Sequence, residues 1–200
     1  MTEKPDVFPL SSRILHWLMA PLVLAMLLIG VGMAASVSDR YHLLVSVHKP
    51  LGIAILVLIV VRIVNRLLYP PPPLPDTLSP IEKLAAKGSH ILLYTLMVAL
   101  PLIGWGMLSA GSYPVVLFGR FALPAILPQD EMLYGILRPA HTYLAYLLFA
   151  TVLVHVGAAL MHLLIKRDGV FESMATVAVG LPHEPPQAPP IEPLPLADAE

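Results

Sequence analysis

No cysteine occurs in the 200 residues. That absence removes disulfides, thiolate zinc sites, iron–sulfur clusters and covalently attached c-type heme in one step. Charge is scarce as well: 12% of residues are Asp, Glu, Lys or Arg, against roughly 25% in soluble domains. The formal net charge of −1 leaves no basic surplus for phosphates, which argues against nucleic acid as a partner. In place of polar residues stand 57% hydrophobic ones, with a mean hydropathy of +0.78. Such a chain suits lipid as its solvent. Metal or cofactor chemistry is left to histidine, of which there are eight.

Four apolar stretches are long enough to cross a bilayer, which takes roughly 20 helical residues. They run from about Ile14 to Ser36, Leu43 to Leu68, Ser89 to Ser109 and Leu137 to Ile165. Breakers separate them: Ser38-Asp39-Arg40, the Pro70–Pro75 run, and Gly111 to Pro128. The last connection is itself apolar at Val115-Val116-Leu117-Phe118, which suits the membrane surface. The 22 prolines sit mainly in 70–80 and 182–195, where no helix interior can form. The expectation is an all-α integral membrane four-helix bundle over residues 13–170. A short N-terminal segment, 1–12, precedes it. Residues 171–200 follow as a tail, proline-rich and disordered from about Leu181 onward.

Lysine and arginine placement predicts orientation. Lys4, Arg13, Arg62, Arg66, Lys83, Lys87, Lys166 and Arg167 fall on one side; Arg40, Lys49, Arg120 and Arg138 fall on the other. The first side, which carries both termini, is expected to be the cytoplasm. Gly32-Met33-Ala34-Ala35 offers a plausible signal-cleavage site. However, the apolar run exceeds the usual ~7–15 residues of a signal and carries His16-Trp17, so the span is expected to be retained.

Six histidines lie within or at the edge of the spans: His16, His48, His90, His141, His155 and His162. One buried histidine is commonly a hydrogen-bonded core residue or an interfacial anchor, but polar groups at this depth also mark functional sites. His141 and His155 are fourteen residues apart, close to four helical turns, so they share a face about 21 Å apart along the axis. His16 sits at the depth of His155, and His48 at the depth of His141. Two bis-histidine sites at two depths are what transmembrane electron transfer through two hemes requires, because imidazole is a standard axial ligand of heme iron. Gly52 and Gly157-Ala158-Ala159 beside the ligands leave room for a porphyrin, or equally for close helix packing.

These residues resemble the bacterial cytochrome b561 family. The likeness lies in Arg13-Ile14-Leu15-His16-Trp17-Leu18, Val47-His48-Lys49-Pro50-Leu51-Gly52, Tyr69-Pro70-Pro71-Pro72-Pro73 and Ala99-Leu100-Pro101-Leu102-Ile103-Gly104-Trp105, followed by His141 and His155. It covers about residues 10 to 170. The resemblance implies two b hemes carried by His16, His48, His141 and His155. It also implies an activity similar to that of a superoxide:ubiquinone oxidoreductase, in which superoxide gives an electron at the periplasmic face and ubiquinone receives it in the membrane. A positive entrance would steer the anion. Yet Arg40, Lys49, Arg120 and Arg138 stand against Asp39, Asp130 and Glu131, a surplus of only one. Lys49 and Arg138, beside the outer ligands, are expected to pair with heme propionates.

His90 and His162 could each hydrogen-bond a quinone carbonyl and pass a proton, or merely anchor the interface. Trp17 fits an interfacial belt, and Trp105 core packing; His42 and His183 receive no role. Three functions remain in play. One is a respiratory oxidoreductase exchanging electrons with quinone and superoxide or a redox protein. Another is a heme-bearing membrane anchor and conduit for a separate dehydrogenase or hydrogenase subunit. The third, a histidine-lined metal transporter, is disfavoured by the lack of acidic residues inside the spans.

Overall fold

The computed structural model describes residues 7–36, 39–117 and 119–175. His183 and the remainder of the expected tail lie outside the described residues. Four helices account for most of the chain: α1 (Leu10–Ala35), α2 (Asp39–Leu68), α3 (Pro80–Ala110) and α4 (Glu131–Met161), the last continued by a wider π-turn, His162–Lys166. Each is long and apolar enough to cross a membrane. Large apolar side chains face outward on every helix, among them Leu28, Val57, Ile91 and Val154, all more than half exposed. Only lipid accommodates such a surface without loss. The protein is a membrane four-helix bundle.

The helices are longer than the apolar stretches that announce them. α3 starts at Pro80 rather than near Ser89 because Ser79 caps it: the Ser79 hydroxyl accepts from the Glu82 N–H, and the Glu82 carboxylate accepts from the Ser79 N–H. This reciprocal cap holds a polar first turn that hydropathy does not register. α4 starts at Glu131 for a similar reason, since the Asp130 carboxylate accepts from the Leu133 N–H at 3.0 Å. All four helices tolerate an internal proline: Pro21, Pro50, Pro101 and Pro139.

Packing is uneven. α1 lies along α2 and α3 along α4, with a lighter α2–α3 contact between the two pairs. α4 touches α1 at few places and shares no packed face with α2. A mid-depth core joins all four helices through Val23 and Leu27, Ile55, Leu93, Leu96 and Leu100, and Leu148. At the far end, opposite the start of α1, the α3–α4 connection folds into a hairpin of two-residue strands, β1 (Val116–Leu117) paired antiparallel with β2 (Phe121–Ala122). Gly119, at φ +68°, makes its turn. Val115 is buried there, and β1 lies against α2.

At the near end, residues 167–175 turn back onto α1. The Phe8 N–H donates to the Ser173 carbonyl (3.0 Å), Arg13 Nη1 to the Ala175 carbonyl (2.8 Å) and Trp17 Nε1 to the Met174 carbonyl (2.9 Å). Residues 171–175, grouped by sequence with the tail, therefore pack on the bundle. An ion pair between Lys166 and Glu82 ties the end of the π-turn to the start of α3. Leu96 is 3% exposed at the centre of the core. Leu96→Ala is expected to cost about 2–5 kcal/mol, as buried leucine truncations do. Thermal unfolding in detergent checks this, and an unchanged transition would mean that the core lies elsewhere.

Candidate functional site

The histidines gather at two levels, one towards each end of the bundle. At the far end His48 on α2 faces His141 on α4, with ring centres 6.2 Å apart and planes at 70°. At the near end His16 on α1 faces His155 on α4, with ring centres 6.3 Å apart and planes at 74°. His90 on α3 joins the near level, its ring centre 5.5 Å from that of His155. α4 thus supplies one member of each facing pair, from the helix that packs least on the partners' helices.

Two imidazoles binding one iron from opposite sides are separated by two metal–nitrogen bonds of about 2 Å plus the span from each nitrogen to its ring centre. The sum is roughly 6 Å. Both facing pairs meet that spacing, whereas His90–His155 falls short of it. The Nδ1 atoms of His48 and His141 are buried with no hydrogen-bond partner. Among the described residues no group of three or more His, Asp or Glu side chains converges on a bare metal ion. The donor chemistry and the spacing fit heme iron, held between imidazoles on separate helices.

Gly104 explains how His141 is aimed. A Cβ at that position would lie 3.1 Å from Cε1 and 3.4 Å from Nδ1 of the His141 ring. The glycine lets α3 approach the imidazole and support it from behind. Gly157, which by sequence stood beside a ligand, meets nothing within 4 Å, and Gly52 meets only the methyl of Met26 at 3.6 Å. Trp105, next to Gly104, donates Nε1 to the Pro124 carbonyl at 2.9 Å and so fastens the far-end connection rather than lining a site.

Around the near-end pair lies a polar group for which the sequence reading had no role beyond topology. Arg62 donates Nε to the Tyr94 hydroxyl (3.0 Å), its Nη1 lies 3.5 Å from the Ser12 carbonyl, and its Nη2 lies 3.3 Å from His16 Nδ1. Arg66, one turn on, stands over the same Tyr94 ring at 5.6 Å. Asn65 donates to the Ser12 hydroxyl at 2.7 Å. The i,i+4 spacing of the two arginines was the available signal that they share a face.

His162 does not stand free at the interface. Its Nδ1 pairs with Asp168 Oδ2 at 2.7 Å, both side chains being largely buried, and Asp168 Oδ1 accepts from the Val170 N–H at 3.3 Å. Trp17 is pinned to the same returning segment, with its ring 6.4 Å from Phe171. Lys49 is half-buried beside His48 and Arg138 is exposed before His141. Neither forms an ion pair among the described residues. His42 lies against Tyr41.

Comparison with known proteins identifies the relatives of the chain. Residues 7–176 match the family model described as prokaryotic cytochrome b561. The chain is 32% identical over 176 residues to cytochrome b561 homolog 2 of Escherichia coli (strain K12), covering 86% of this chain and 93% of that protein. It is 33% identical over 132 residues to the probable superoxide oxidase CybB of Yersinia pestis, covering 64% and 72% respectively. Cytochrome b561 homolog 1 of E. coli is 27% identical over 137 residues, covering 68% and 77%.

Replacing Gly104 by valine is expected to push the His141 ring away from its line to His48 and to disturb the far-end site alone. Gly157→Val, which meets open space, is the control. Low-temperature absorption spectra of the two purified variants check this: the b-type heme absorption should change in Gly104→Val and not in Gly157→Val. Equal spectra would show that Gly104 does not aim the ring.

Proposed function

The chain belongs to the prokaryotic cytochrome b561 family and is a membrane b-type cytochrome; from that premise we propose that it is a di-heme electron carrier between the periplasmic face and quinone. His48 with His141 holds one heme b, and His16 with His155 holds the second. The observation that carries this reading is the repetition of one ring spacing, 6.2 Å and 6.3 Å, at two levels of the bundle. When bound, heme supplies one-electron transfer at each level.

The protein's own residues do the rest. The imidazoles fix position and orientation, and the apolar layer of Leu27, Ile55, Leu96 and Leu148 excludes water between the levels. Both termini face the cytoplasm, because that end carries the greater number of lysines and arginines. Lys49 and Arg138 flank the far-end pair and offer their charge to propionates there. Superoxide as the electron donor is suggested by the relative named a probable superoxide oxidase, with ubiquinone as acceptor. The overall reaction then takes two superoxide anions, one ubiquinone and two protons to two dioxygen molecules and one ubiquinol.

His162 is the residue best equipped to serve the quinone. Asp168 accepts the Nδ1–H of His162 and, carrying a negative charge, pairs with the imidazolium, whose Nε2–H can then donate to a quinone carbonyl and deliver its proton. His90, beside His155, is the second candidate for that task.

Two low-spin b hemes per chain are expected, extractable by acid acetone because no cysteine tethers them. His48→Ala or His141→Ala should remove one heme, and His16→Ala or His155→Ala the other. A stoichiometry of one heme, or loss of a heme in His90→Ala but not in His16→Ala, would defeat the assignment. Purified protein given superoxide and oxidised ubiquinone should form ubiquinol. His162→Ala and Asp168→Asn should slow quinol formation while leaving heme reduction by superoxide intact. Failure of superoxide to reduce either heme would favour service as the membrane conduit of a separate redox subunit.

A further inference from the structure

Arg62 and Arg66 are two half-buried guanidiniums one helical turn apart, and neither meets a carboxylate among the described residues. Both stand over the ring of Tyr94, at 5.9 Å and 5.6 Å. Like charges converging on one aromatic ring inside a membrane span are unfavourable unless an anion lies between or beside them. Among the described residues no carboxylate comes within ion-pair distance of either arginine.

The contacts of Arg62 show the direction from which it comes. Its donors reach inward, to Ser12 and His16 on α1 and to Tyr94 on α3, not outward to the lipid. The approach to His16 Nδ1 is informative in itself. A neutral imidazole that gives Nε2 to a metal carries its proton on Nδ1 and donates it. Arginine has five donors and no acceptor, so the 3.3 Å contact between Nη2 and Nδ1 cannot persist as a hydrogen bond once His16 binds iron in that way. The Nη2 group then needs another acceptor within reach of the same imidazole.

We infer that Arg62 and Arg66 form an anion-binding site at the near-end level and take the propionate carboxylates of the heme held by His16 and His155. The inference rests on the di-heme reading. A planar guanidinium binds a carboxylate through two parallel hydrogen bonds, and the second arginine neutralises the remaining charge. Tyr94 holds Arg62 in place through its hydroxyl, and Asn65 stiffens the adjacent Ser12 turn. Arg62 and Arg66 here correspond in role to Lys49 and Arg138 at the far end.

Redox titration and resonance Raman spectra of the purified full-length holoprotein test this. Losing cationic charge beside a heme disfavours its reduced form. Arg62→Gln with Arg66→Gln should therefore lower one midpoint potential by about 59 mV or more, a tenfold change in a one-electron reduction constant. The shifted heme should be the one that His16→Ala removes, and the other should not move. Its propionate bending band should shift in Arg62→Gln and be largely restored in Arg62→Lys, a response that a merely structural role would not give. Arg66→Gln alone, which disturbs no contact to a histidine, should shift the same potential in the same direction and keeps the test readable if the double variant loads poorly. Two hemes with unmoved potentials and an unmoved propionate band would overturn the inference. So would loss of co-purifying anionic phospholipid with both potentials unchanged, which would assign the arginines to a lipid phosphate. One heme or none in the unaltered protein would instead defeat the di-heme reading itself.

Discussion

The structure depends on holding an imidazole at a fixed height and direction inside a largely apolar bundle. A histidine in lipid is tolerated only where something meets its nitrogens, and the four helices are arranged to make that meeting possible. α4 packs along α3, so its opposite flank is left to face α1 at one level and α2 at the other. The two facing pairs arise on helix combinations with little or no direct packing. The remaining features serve this arrangement: Gly104 backing His141, the proline-bearing spans that tolerate missing backbone bonds, and the capped helix starts that fix register.

Much of this was legible in the residue order. The fourteen-residue interval between His141 and His155, set against the positions of His16 and His48 in their spans, was enough to foresee which rings would face each other. Periodicity and depth are local quantities, and a sequence displays them. The helix ends were not legible in hydropathy, because Ser79, Glu82 and Asp130 are polar and act through caps. The support of His141 by Gly104 is a contact between two helices at one point, which no periodic pattern encodes. Arg62 and Arg66 read as topological charge because their convergence on Tyr94 depends on how α2 meets α3. Asp168 was hidden for a different reason: it reaches His162 only because Arg167, at φ 51°, turns the chain back beyond the π-turn.

The near level is the more elaborate of the two. Three imidazoles, two guanidiniums, a phenol and the returning segment 167–175 crowd one end, while the far level has a single facing pair under a short hairpin. Charge and proton donors concentrated at one end suit the proposed coupling of electron arrival to quinone protonation there. An apolar layer of Val23, Leu27, Ile55, Leu96 and Leu148 separates the two levels.

That α4 contributes to both facing pairs also bears on assembly. α4 follows the other three helices in the chain, so during synthesis the first three spans enter the membrane with His16 and His48 each lacking its partner. On the proposed ligation neither heme can be captured at full coordination until α4 is inserted, and then both can. A chain that stops before α4 is thereby prevented from holding either complete, redox-active center. A half-loaded species would accept electrons with nowhere to send them, and the placement of two ligands on one late helix keeps it from forming before α4 is in place.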